Sequence, residues 1–295
     1  MHYRIKKIVF LFLIHTFLLS VALSCIFPLA WMLNTSVKTE AQFRQDQGLA
    51  VATKPTFENY KYVLVEGQLG AYFFNSVAYT FITVSFIVLI ASLAAYGFSR
   101  LHFPGKNVIF FMFLTAMMIP LPAGFVPVYI LLNKLHVAAY SMLGAIGLED
   151  KFGFVDRAGY VFAMTNMGLS LSIYLLKTFF DQLPRDLEDA ARIDGCNRLQ
   201  IWWNVGLPLI APAIAVVIIF NALNVWNEFV LASLLFVDSG PMPLQVGLMA
   251  IYNKNVIAHT LIMAALAVAA LPIILLYLKM QKQIVKGLTA GAVVG

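Results

Sequence analysis

Stretches free of Asp, Glu, Lys and Arg recur along the chain at 8–33, 71–99, 107–133, 158–176, 199–227 continuing past Glu228 to 237, and 255–278. About 20 apolar residues in helical form cross the ~30 Å hydrocarbon core of a bilayer, so the pattern predicts six transmembrane helices. No stretch alternates apolar and polar residues in short, turn-bounded segments, which excludes a membrane barrel. The stretch 138–148 is too short to cross and reads as interfacial or re-entrant. Arg4, Lys6 and Lys7 before an apolar run also open secretory signals, and Ala22-Leu23-Ser24-Cys25 imitates a lipoprotein cleavage site. The run continues to Leu33, beyond a signal-peptide core, and reads as an uncleaved first helix. The expected fold is an all-α membrane protein, one domain over 1–295 with its core at 71–280.

Composition agrees with that reading. Of 295 residues 61% are hydrophobic and 12% charged, with a mean hydropathy of +0.84; a soluble domain carries about twice that charged fraction. The net charge of +6 matters through its sidedness and gives no case for nucleic acid. With the N-terminus inside, inner segments hold twelve basic against five acidic residues and outer segments eight of each. The positive-inside rule therefore predicts both termini in the cytoplasm. Cys25 and Cys196 stand far apart and suggest neither a disulfide framework nor a metal site.

Several chemistries lack their residues. A phosphate loop needs a glycine five residues before its Gly-Lys pair and a hydroxyl residue after it, but Gly105-Lys106 has Arg100 and Asn107 there. His2, His15, His102, His136 and His259 are scattered, and no Gly-x-Ser-x-Gly elbow exists, so neither a metal enzyme nor a serine hydrolase is indicated. Glu228 is the single intramembrane acid, where a proton-coupled carrier would show several.

The segment Leu183–Gly195 is the most informative. Pro184 suits a first helical turn, Asp186, Glu188 and Asp189 oppose the N-terminal partial charge, and Gly195 suits a left-handed stop. This predicts a short helix outside the membrane, between spans four and five. Leu187, Ala190, Ala191 and Asp194 share a face by spacing, a small-residue surface suited to a partner protein; a solvated loop helix is the other reading.

Asp189-Ala190-Ala191, three residues, Gly195, nine residues, then Val205, Leu207 and Pro208 resembles the EAA signature of permease subunits of ATP-binding-cassette importers. Asp189 replaces the usual Glu, with Glu188 beside it, and Val205 the usual Ile. Asn75-Ser76, Ala95–Arg100 with Phe103–Lys106, and Trp226–Phe229 resemble the carbohydrate branch, and the tail Lys286–Gly295 that of a maltose-type permease. The resemblance implies a transport subunit of a prokaryotic inner membrane, itself not an enzyme and binding no cofactor. It implies a second permease subunit, two ATPase subunits that bind ATP and magnesium, and an extracytoplasmic solute-binding protein. Residues 183–208, with Glu188, Asp189, Ala190, Ala191, Gly195, Leu207 and Pro208, would couple to the ATPases. The tail 287–295, through Gly287, Leu288, Thr289 and Gly291, would contact them too; a frayed terminus is the plainer reading, since three glycines and no charge make the tail too flexible to extend the last helix.

A sugar needs hydrogen-bond partners along a cavity. Asn221, Asn224 and Glu228 lie within about 60° on one helix face at 100° per residue, as substrate path or as interhelical glue. Asn166, Ser170 and Tyr174 repeat every four residues in span four, with the same two readings. Pro120, Pro122 and Pro127 imply a broken third helix. Trp202 and Trp203 read as interface anchors. An ion-coupled carrier or channel is the rival function, and an intramembrane enzyme comes third.

Overall fold

The computed structural model describes residues 2–46, 48–145, 152–236, 241–254 and 258–292. Its elements are α1 (His2–Ser36), α2 (Glu40–Asp46), α3 (Glu58–Lys61, continuing in a π turn to Glu66), α4 (Leu69–Arg100), α5 (Lys106–Met117), α6 (Leu121–Ala145) and α7 (Phe152–Gln182). After them come α8 (Asp186–Ile193), α9 (Arg198–Ile201, continuing in a π turn to Gly206), α10 (Leu207–Leu209), α11 (Ala211–Asn227), α12 (Val230–Leu235), α13 (Leu244–Lys254) and α14 (His259–Ala292). The described residues contain no strand. Among the described residues five helices are long and apolar enough to cross a membrane, and Arg198–Leu209 with Ala211–Asn227, bent by 79°, make a sixth if counted as one span. The all-α expectation holds, with five or six spans.

The chain forms two compact units. In the unit of residues 1–70 and 247–271, α1 exposes Ile8, Phe12, Phe17, Leu23 and Phe27 alike. A helix apolar all round requires lipid or another chain about it. Beyond it, Lys38 is fully buried and reaches Asp46 (2.8 Å) and the Ala50 carbonyl. Asn59 donates to the carbonyls of Ser36 and Lys38 (2.8 and 2.7 Å), and Asn34 joins Ala50 and Ala52. Glu40 accepts from the backbone and hydroxyl of Thr260 at the start of α14, both at 3.3 Å.

In the unit of residues 71–246 and 272–295, one core joins Ile87, Ala91 and Ala95 of α4 to Ile173, Leu176 and Phe180 of α7 and to Ala213 and Val217 of α11. A second gathers Tyr79, Leu132, Tyr160, Val225, Leu231 and Phe236. Gly168 permits this packing, because a Cβ there would collide with Asn221 Oδ1 and stand 2.5 Å from Ile87 Cδ1.

Three sequence expectations need correction. The third span is not 107–133: α5 stops at Met117, and the crossing helix is 124–145. Pro120, which cannot donate, sits at the break, whereas Pro127 lies inside α6. Residues 138–145 belong to that helix and are not an interfacial piece; Lys134, exposed, interrupts apolarity without interrupting the backbone. Ile146 to Leu148 lie outside the described residues. The last helix does not end before Gly287 but runs to Ala292. An isolated glycine costs only about 1 kcal/mol in a helix, and Leu288, Ala290 and Ala292 favour propagation once the helix is formed.

Candidate functional site

The loop after α7 is built as a stopped helix on a clamp. Glu188 and Asp189 donate their backbone N–H groups to the Arg185 carbonyl (2.9 and 3.0 Å), which starts α8. Its end is a Schellman turn: Cys196 N–H reaches the Ala191 carbonyl and Gly195 N–H the Arg192 carbonyl, both at 3.0 Å. This turn requires a left-handed residue, and Gly195 has φ +84°. Nothing lies within 4 Å of a Cβ placed on it, so conformation alone selects glycine. Asn197 and Gln200 then exchange side-chain-to-backbone bonds of 2.9 and 2.7 Å as a capping box that opens α9.

Of the predicted coupling residues, Glu188 and Ala191 turn inward, Leu207 packs partly against the core, and Asp189, Ala190, Gly195 and Pro208 are exposed. Glu188 is 7% exposed; its carboxylate pairs with Arg100 Nε and accepts from the Tyr96 hydroxyl at 3.5 Å. Arg100 also donates to the Leu183 carbonyl at 2.9 Å, and Ser99 to Asp181 at 2.6 Å. The expectation that both adjacent acids face a partner is therefore corrected. Asp189 alone is exposed, bonded to Arg192 at 3.0 Å. The shared face is corrected likewise, since Ala191 joins the core while Leu187, Ala190 and Asp194 are exposed beside Ile193, 87% exposed. Leu207 is half-buried and Pro208 exposed, just before the 79° bend. Trp202 is a buried core residue, not an interface anchor; Trp203 is exposed.

The sequence reading missed Tyr96, Ser99, Arg100 and Asp181 as holders of the loop. The spacing of the first three, i, i+3 and i+4, puts them on one face at the end of α4, a signal that was available.

The second site is a cavity of about 370 Å³ lined by Asn221, Asn224 and Glu228 together with Met164, Met167 and Phe125. α11 ends at Asn227, so Glu228 leaves the helix and caps the next one: its two oxygens accept from Leu231 N–H (2.7 Å) and Ala232 N–H (3.0 Å). Asn221 is 3% exposed and donates to Ser172 Oγ (2.9 Å) and the Val217 carbonyl (2.8 Å), which makes it a link between α11 and α7. Asn224 is exposed. The cavity takes Met164, Met167 and Gly168 from α7, and not the predicted Asn166, Ser170 and Tyr174. Asn166 and Tyr174 are exposed and Ser170 is half-buried. Side chains of Gly287, Leu288, Thr289 and Gly291 lie outside the described residues.

Residues 87–290 match the family described as binding-protein-dependent transport system inner membrane component. The trehalose/maltose transport system permease of Thermococcus litoralis is 32% identical over 284 residues, covering 93% of each chain. The sulfoquinovosyl glycerol transport system permease of Agrobacterium fabrum is 30% identical, covering 92% of this chain and 89% of its own. A crystal structure of a bacterial importer of the acidic polysaccharide alginate superposes with a TM-score of 0.76 at 24% identity, covering 92% of this chain and 95% of the other.

Proposed function

The chain belongs to the family of inner membrane components of binding-protein-dependent transport systems, and from that premise we propose that it is half of the pore of an ATP-driven carbohydrate importer. A second permease subunit completes the pore, two separate ATPase subunits bind ATP and magnesium, and an extracytoplasmic binding protein delivers the sugar. Both termini and the 183–208 loop lie on the cytoplasmic side, in keeping with the excess of basic residues there.

The observation that carries this reading is the disposition of α8. Glu188 and Ala191 fasten it to the body, while Leu187, Ala190 and Ile193 remain exposed on its outer side. Apolar side chains presented by a short helix outside the hydrocarbon call for a protein surface over them, and the ATPase is that surface. Asp189, Gly195, Leu207 and Pro208 set the edges and orientation of the contact. Asn221, Asn224 and Glu228 border the substrate path, with Asn166, Ser170 and Tyr174 on another face of α7. The carbohydrate assignment draws on the named cargoes of the relatives and on the amide-rich cavity.

Purification without crosslinker, with identification of accompanying chains, tests the reading: a second permease and an ATPase should accompany this chain, and its isolation alone would refute it. The tail contact has its own test. Deleting Leu288 to Gly295 should leave assembly intact and lower substrate-stimulated ATP hydrolysis; unchanged hydrolysis and uptake would remove the tail from the ATPase interface.

A further inference from the structure

Resting on the importer reading, we infer that the sugar passing the Asn224 cavity is uncharged. The cavity lies at the break between α11 and α12, and none of the described residues lining it is Lys, Arg or His. A carboxylate or sulfonate leaving water for such a site needs a cation or several hydrogen-bond donors in compensation. No cation is present among those residues. Glu228 contributes no positive charge in either protonation state, and both its oxygens are turned to the backbone of α12.

Half of the amide hydrogens in the lining are already used. Asn221 Nδ2 gives one hydrogen to Ser172 and one to Val217, and Asn227 Nδ2 gives one to Leu223 at 2.9 Å. Asn224 makes no side-chain hydrogen bond among the described residues. An amide offers a donor and an acceptor together, which matches sugar hydroxyls, groups that also do both. Phe125, Met164, Met167 and Phe229 supply apolar surface for a sugar ring. Arg157, which would suit an anion, lines a different groove with Asn75, Tyr79 and Thr165.

The test uses the complete importer with its partner subunits and binding protein in proteoliposomes, with maltotriose and diacetylchitobiose as uncharged probes and trigalacturonate as the anionic one. ATP hydrolysis should rise with an uncharged probe and not with trigalacturonate. Uptake of that uncharged probe should fall in both Asn224→Asp and Asn224→Arg, to levels within about tenfold of each other. A cargo carrying a carboxylate beside this position would separate the two variants by about 100-fold or more, in favour of arginine. Stimulation by trigalacturonate, stimulation by neither uncharged probe, or a gap beyond tenfold in favour of arginine overturns the inference. Stimulation by trigalacturonate would leave the importer reading standing, whereas preparations free of any ATPase subunit would remove that reading and this one with it.

Discussion

Replacing Glu188 by alanine should release α8 from the end of α4. The pair it forms with Arg100 is buried on both sides, with side chains 9% and 6% exposed, so screening by water is slight. Removing one partner leaves the Arg100 guanidinium buried without its counter-charge, a loss of about 3–5 kcal/mol in buried pairs. The residual bond from Arg100 to the Leu183 carbonyl offsets part of it, which points to the lower end of that range. At 1.4 kcal/mol per decade, the opening equilibrium of α8 should rise by about 100-fold. Hydrogen exchange at the Ala190 to Cys196 amides reads this, because their bonds break only when α8 opens. The double variant Glu188→Met with Arg100→Met should recover most of the protection, since apolar replacement of a whole buried pair is often neutral. Exchange in Glu188→Ala within threefold of the parent, or a double variant as open as the single one, would refute the clamp.

Gly195→Ala and Gly195→Val should both destabilise the loop, by about 1–2 kcal/mol for the left-handed conformation and more for the β-branched residue; equal protection of Cys196 in Gly195→Ala and the parent would contradict the φ of +84°. Gly168→Ala should cost about 1–3 kcal/mol through overpacking against Asn221 and Ile87, seen as a lower Tm, with no loss if the helices separate freely. The hydrogen bond from Lys38 first, then those from the backbone, hold the Asp46 carboxyl below its ordinary value of 3.8. A depressed folded-state pKa adds stability above the unfolded value and loses it as pH falls through the folded one. Asp46→Asn should therefore speed proteolysis of residues 34–60 at neutral pH, and the difference should begin to shrink as pH falls below about 4 and vanish once the folded-state carboxyl is protonated; a difference that does not shrink with falling pH would refute the link.

The helices were legible in the sequence because lipid demands uninterrupted apolar length, and the stop at Gly195 was legible because one turn type demands one residue type. What stayed hidden depended on which way a side chain turns. Glu188 and Asp189 are adjacent acids of the same charge, and Arg100, 88 positions earlier, is what draws the first inward. Asn166, Ser170 and Tyr174 have the regular spacing of a path, yet the cavity is reached by Met164, Met167 and Gly168, one turn of the face away. Charge alone misplaced the third span, because an exposed lysine does not end a helix. On the polar stripe of α11 spacing did not separate the two roles: Asn221 ties two helices together, and Asn224 is exposed.

The clamp also has a mechanical meaning. α4 has 32 residues, a rod of about 48 Å at 1.5 Å per residue, and Arg100 is its last. Fastened there to Glu188 and to the carbonyl of Leu183, α8 cannot tilt without carrying the rod's end with it. A push of a few ångströms delivered to the exposed side of α8 would thus be felt at the Arg100 end of α4. On the proposed docking of a partner at α8, the loop would serve as a handle on that helix as well as a contact patch.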